Sequence, residues 1–202
     1  MATSGRRGRP YAFDREAALD KALHLFWERG YEATSIADLT AAIGVAPPSL
    51  YAAFGSKHEL FARVVERYGQ RYRTYLAEAI RREPTLRAGI ERLLREAAAA
   101  YTMPGHPAGC LIITATVNCA TPDARELLRE LRTGSLVQLE RLVERAIAVG
   151  ELPADCDAHA LAVFTGVVMQ GMAYQARDGS SRAALEAAAG IAAAAWPWVD
   201  PE

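Results

Sequence analysis

The 202-residue sequence holds only two lysines, Lys21 and Lys57, beside 21 arginines, and its acidic and basic residues nearly cancel, to a formal net charge of −1. That balance excludes a uniformly basic coat, so any recognition of nucleic acid has to rest on where the charges sit. Three cysteines, at 110, 119 and 156, are too few and too scattered for a disulfide framework or a zinc cluster, which fits a reducing cytoplasm. His24, His58, His106 and His159 are scattered too, and neither a phosphate loop nor a nucleophile elbow occurs. No catalytic constellation, metal site or cofactor is therefore expected. The longest apolar runs, residues 163–174 and 183–196, fall short of the ~18–20 residues of a membrane span. The first ten residues carry no apolar stretch behind their arginines, so they do not read as a secretory signal.

Alternating apolar and polar stretches are also missing, and the chain reads as all-α, with about nine helices. Its 51% hydrophobic content suffices for a sizeable core. Residues 1–11 form a basic arm, 12–72 a first domain and 73–202 a second. Asp14 caps a first helix to about Arg29, and Leu19, Ala22, Leu23 and Phe26 form its apolar stripe. Ser35 and Asp38 have capping-box spacing ahead of a short second helix, which Gly44 ends. A third helix begins near Pro47 and Pro48, where missing amides are tolerated, and ends at Phe54-Gly55. A second box, Ser56 to Glu59, launches a long helix to about Arg82. Further helices are expected at about 85–102, 109–119, 123–148, 157–178 and 181–196, between breaks rich in proline and glycine.

Two short helices joined by a tight glycine turn inside a three-helix unit make a helix-turn-helix, whose second helix enters the major groove. Leu50 and Phe54 face inward, which leaves Ala46, Pro47, Ser49, Tyr51 and Ala53 outward. That face has no arginine, asparagine or glutamine, so thymine-methyl contacts and DNA shape carry much of the specificity. Thr34 and Ser35 at the second helix, Tyr51, and Lys57 at the fourth are candidates for backbone contacts. Arg6, Arg7 and Arg9 read either as an arm for a neighbouring minor groove or as a plain basic tail. From residue 1 to 60 seven basic residues meet seven acidic ones, so local arrangement decides.

The run Gly30-Tyr31-Glu32-Ala33-Thr34-Ser35-Ile36-Ala37-Asp38-Leu39, then Ile43-Gly44-Val45, then Ser49-Leu50-Tyr51-Ala52-Ala53-Phe54-Gly55-Ser56-Lys57-His58-Glu59-Leu60-Phe61, resembles the DNA-binding domain of the tetracycline-repressor (TetR) family. The likeness covers about residues 13–65 and is more specific than a bare helix-turn-helix. It implies a homodimer on pseudo-palindromic double-stranded operator DNA, with Ser35, Tyr51 and Lys57 on phosphates and Ala46, Pro47, Pro48 and Ser49 facing bases. Positions Ala46 and Pro47 often carry polar residues in that family, so this chain departs from its pattern there.

The resemblance also implies that the last two long helices pair into a four-helix bundle. Val163, Gly166, Val167, Gln170, Gly171 and Tyr174 place small residues along one helix. The final helix, with Ala188 and Ile191, is apolar on nearly every side and needs a partner to bury it. Trp196 and Trp198 close the bundle's end or cap the core. For a small-molecule effector, Tyr68, Tyr72, Tyr75, Leu93, Ala97, Tyr101, Ile113, Thr114, Val117, Asn118, Met169 and Met172 offer a mainly apolar cavity with no basic cluster to hold a phosphate. Gly109-Cys110-Leu111-Ile112 resembles a stretch found in a subset of the family. A thiol in a first helical turn, with His106 near in sequence, reads either as an electrophile or oxidant sensor or as a small buried hydrophobe. The implied mechanism is release from DNA when ligand entry shifts the fourth helix. The competing reading is a helical interaction module without DNA binding.

Overall fold

The computed structural model describes residues 13–72 and 74–199, the side chains of residues 74–77 excepted. Among the described residues there are ten helices and no strand: α1 Arg15–Arg29, α2 Ile36–Ile43, α3 Pro47–Phe54, α4 Lys57–Tyr72, α5 Thr74–Arg81, α6 Leu86–Tyr101, α7 Leu111–Thr114, α8 Pro122–Ala148, α9 Ala158–Arg177 and α10 Arg182–Ala194. The expected arm lies outside the described residues, and the helix expected up to about Arg82 is covered by α4 and α5, which flank residue 73, itself outside the described residues.

Local chemistry sets the helix starts. Asp14, Ser35, Thr85, Asp157 and Ser181 each accept a hydrogen bond from a first-turn amide. Both expected boxes form, Ser35 with Asp38 and Ser56 with Glu59. Gly44 ends α2 in the left-handed region at φ 86°, which a side chain disfavours.

The helix expected over 109–119 shrinks to the four residues of α7. Two causes are visible. The segment is rich in β-branched residues, Ile112, Ile113, Thr114, Thr116 and Val117, which crowd the preceding turn. The Ala115 carbonyl, which a continuing helix would use, instead accepts from the Tyr31 amide at 2.8 Å. Asn118 then turns the chain at φ 57°.

The core runs unbroken from the N-terminal helices into the rest. Phe26, Tyr31 and Phe61 pack with ring centroids 4.9–5.9 Å apart. Trp27 of α1 lies edge-on to Tyr68 and Tyr72 of α4 and stacks on His106. Beyond it α6 is the central post, burying Leu86, Ile90, Leu93, Leu94, Ala97 and Tyr101. Trp196 is buried and stacks on Trp198 at 4.8 Å.

Candidate nucleic-acid interface and effector cavity

α2 and α3 meet at 93°, the crossing of a helix-turn-helix. Cations from α1 hold both in place. Lys21 donates to the Ile43 carbonyl at the end of α2 (3.3 Å), and Arg15 to the Ala53 carbonyl at the end of α3 (2.6 Å). Positive charge at a helix C-terminus offsets its carbonyl dipoles, so these two residues serve the scaffold. Arg67 of α4 forks onto both carboxylate oxygens of Asp20 on α1 and also reaches Glu16, while Arg71 meets Asp20 at 2.8 Å. The Arg67 bond, ahead of charge attraction, holds the Asp20 carboxyl below the usual aspartate range.

On α3, Leu50, Ala53 and Phe54 are buried. Ala53, expected outward, lies three residues from Leu50 and so on the same inward strip; Ala52 takes its place in solvent. The outward surface is Ala46, Pro47, Pro48, Tyr51 (47% exposed) and Ala52, with Ser49 half-buried. Pro47 and Pro48 remove two amides that a helix start otherwise presents.

The phosphate candidates fare unequally. Thr34 is wholly buried and donates to the Gly30 carbonyl at 2.7 Å, which withdraws its side chain from the surface. Ser35 is exposed, but its hydroxyl is bound to Asp38 at 2.5 Å. The Lys57 ammonium lies over the Tyr31 ring, 4.3 Å from its centre, and burial lowers its pKa from the ordinary lysine value. Tyr51 extends into solvent. Arg6, Arg7 and Arg9 lie outside the described residues.

Three contacts lock this unit to the rest of the chain. Glu32, just after α1, accepts from the Cys119 thiol (3.1 Å), the Ala120 and Thr121 amides (3.1 and 3.3 Å) and the Thr121 hydroxyl (3.1 Å). These bonds, the Cys119 one foremost, lower the Glu32 pKa; burial and then the Glu32 bond raise that of the thiol, which stays a donor. Arg177 of α9 donates to the Trp27 and Glu28 carbonyls at the end of α1 (3.2 and 2.9 Å) and to Thr114 of α7 (3.4 Å). The third is the Tyr31 amide on Ala115. Sequence reasoning missed all three, and only tertiary packing reveals them.

A cavity of about 430 Å³ opens among α6, α7, α8 and α9. Of the expected set, Leu93, Tyr101, Cys110, Ile113 and Met169 line it. Tyr68, Ala97, Thr114 and Met172 are buried outside its wall, Val117 and Asn118 are exposed, and the Tyr75 side chain lies outside the described residues. Tyr72 turns instead to Trp27 and to His106 Nδ1 (3.3 Å). Tyr68 of α4 touches the wall from behind, its hydroxyl donating to Cys110 Sγ at 3.3 Å. The unexpected walls are α8, with Arg132, Leu136 and Leu139, and the side of α9 that carries Val163, Gly166, Val167 and Gln170, four residues expected on the dimer face. A signal for α8 existed: Arg132 follows the buried Leu128 by four residues and precedes Leu139 by seven, so it falls on the apolar stripe of α8.

Val163, Val167, Gln170, Gly171 and Tyr174 lie exposed along one side of α9, with Gly166 half-exposed among them. Ala188 and Ile191 are exposed on α10, Ile191 at 75%. Large apolar side chains in water on two neighbouring helices form an uncovered face.

The sequence model described as bacterial regulatory proteins of the tetR family matches residues 18–64, and the tetracyclin repressor-like C-terminal domain matches residues 86–191. The chain is 39% identical to the HTH-type transcriptional repressor ComR of Escherichia coli (strain K12) over 197 residues, covering 95% of this chain and 92% of ComR. It is 33% identical to the repressor BdcR of the same organism, over 92% of this chain and 90% of BdcR. Among solved structures, a cysteine mutant of the TetR family transcriptional regulator CifR, complexed with 26-base-pair double-strand operator DNA, superposes with a TM-score of 0.87 at 40% identity, covering 94% of this chain and 100% of that one.

Proposed function

Because the chain belongs to the tetR family of bacterial regulatory proteins, we propose that it is a transcriptional repressor that holds operator DNA as a homodimer and releases it when a small, mainly apolar effector fills the cavity. It acts by binding in the cytoplasm, without a catalytic step. The DNA-binding and effector-binding parts divide near Tyr72. α3 enters the major groove with Ala46, Pro47, Pro48, Ser49 and Ala52 against bases, while Ser35, Tyr51 and Lys57 take phosphates. The observation that carries this reading is α3 itself: it stands at 93° to α2 with its inward strip buried and Tyr51 in solvent.

The cavity reaches the DNA-binding unit by short routes. Cys110 in its wall is bound to Tyr68 of α4, and α7 is tied through Ala115 to Tyr31. An effector that moves α7 or α4 therefore tilts α1 to α3 and changes the separation of the two recognition helices. Half-sites lie at multiples of ~34 Å along the duplex, so a small tilt spoils simultaneous docking. Coupling of about 1–3 kcal/mol weakens the complex several-fold to about a hundred-fold.

Anisotropy of a labelled operator duplex, selected from a random pool, tests this reading across salt concentrations. Affinity should fall steeply, with a log–log slope of about −0.9 per phosphate contacted. A flat salt dependence, or no selected duplex, would contradict it. One observation favours a second reading, in which the effector is an electrophile: the Cys110 thiol lies in the cavity wall. Addition of the thiol to an activated C=C forms an S–C bond, breaks the C=C π bond, leaves the thiol proton on the adjacent carbon and crowds the Tyr68 contact. N-ethylmaleimide should then release the operator from the wild type and not from Cys110→Ser; equal release from both rejects it.

A further inference from the structure

Resting on the reading of the cavity as an effector site, we propose that its natural occupant is an amphipathic monocarboxylate, an apolar body with one carboxylate set against Arg132. Three observations lead there. The cavity is mainly apolar, with leucine, isoleucine and methionine along its length, which selects an apolar body. Arg132 is, among the described residues, its one cationic wall residue. Among the described residues no carboxylate forms an ion pair with this guanidinium, whereas arginines 67, 92, 129 and 182 all have one.

A half-buried guanidinium without a counter-ion is an expensive arrangement, because burial withdraws water and supplies nothing of opposite charge. Burial lowers the Arg132 pKa from the ordinary arginine value, and the groups that push back are only the weak acids Tyr174 and Cys110. One of its five N–H groups donates to the Ile112 carbonyl at 2.7 Å, which anchors the side chain to α7. A planar fork held at one corner is pre-set for two parallel bonds to a carboxylate. A phosphomonoester fits poorly, since its second charge would meet no second cation in the wall. The ligand's head would thus sit on the residue that joins α8 to α7, and α7 is bonded to the end of α1.

The test uses the full-length protein and two probe pairs, decanoate with 1-decanol and 2-naphthylacetate with 2-naphthylethanol. Calorimetry reads binding, and operator anisotropy reads release. In the wild type at least one carboxylate should bind about 10- to 100-fold more tightly than its alcohol, the worth of a charge-assisted bond. Arg132→Gln should erase that preference while leaving the alcohol's affinity within about three-fold, and Arg132→Lys should retain part of it. The wild-type comparison needs no variant, so it decides even if Arg132→Gln misfolds. Alcohols binding as well as carboxylates, or no carboxylate binding at all, overturns the proposal. Carboxylate binding through Arg132 with the operator still held upholds the site and rejects its role in release. Release by carboxylate and alcohol alike upholds the effector cavity and rejects the carboxylate.

Discussion

At the scale of single residues, the outward face of α3 is small and apolar, so affinity depends on a few polar groups around it. Tyr51 is 47% exposed, and Lys57 is the cation at the start of α4. Lys57 rests on the Tyr31 ring, and on the proposed reading it exchanges that partly desolvated contact for a phosphate. Lys57→Gln should weaken operator binding about equally for every sequence and flatten the salt slope by about 0.9, in titrations from low to moderate salt. Tyr51→Phe should cost about 1.5–3 kcal/mol of binding with no change in thermal stability, because the side chain is 47% exposed. Thr34 marks the limit of pattern reading. Its place beside Ser35 suggested a DNA contact, but its hydroxyl satisfies the Gly30 carbonyl inside the fold.

At the scale of elements, the short helices announced themselves through caps and glycines, because those signals are local. Both capping boxes and the turn at Gly44 were legible in the sequence. The truncation of α7 was not, since the Ala115 carbonyl is claimed by Tyr31, 84 positions earlier in the chain. For the same reason the cavity wall takes only Leu93, Tyr101, Cys110, Ile113 and Met169 from the expected set: the rest of it depends on how α8 and α9 pack against α6 and α7. The Asp20–Arg67 fork between α1 and α4 gives a prediction in pH. Its lowered aspartate pKa contributes stability above the ordinary value of ~3.9 and loses it as pH falls through the folded value. Asp20→Asn should therefore destabilise at pH 7, by about 1 kcal/mol or less after solvent screening, and its deficit in thermal melts should shrink as the pH falls below the ordinary aspartate value. Glu32→Gln sets an amide against the Cys119, Ala120 and Thr121 donors. Hydrogen exchange should then speed up at residues 119–121 while α3 stays protected, and effector-driven release should weaken. Unchanged exchange there would remove Glu32 from the coupling route.

At the scale of the whole molecule, one chain leaves α9 and α10 with an apolar face in water, and members of this family are typically homodimers. We assign that face, with Val163, Gly166, Val167, Gln170, Gly171, Tyr174, Ala188 and Ile191, to the partner contact. Val167→Asp falls on a side chain 60% exposed in the monomer, so the fold tolerates it. In a dimer it buries an unpaired charge at several kcal/mol, and sedimentation should then show a folded monomer with little operator affinity. A stable dimer from that variant would move the interface elsewhere.

The central claim, that two copies of α3 dock together in successive major grooves, meets its most direct test in a methylation-interference footprint of the operator-bound protein. Two symmetric patches on one face of the duplex, their centres about 10 base pairs or a multiple of that apart, are the predicted result. A single patch, or protection spread evenly along the DNA, would contradict it.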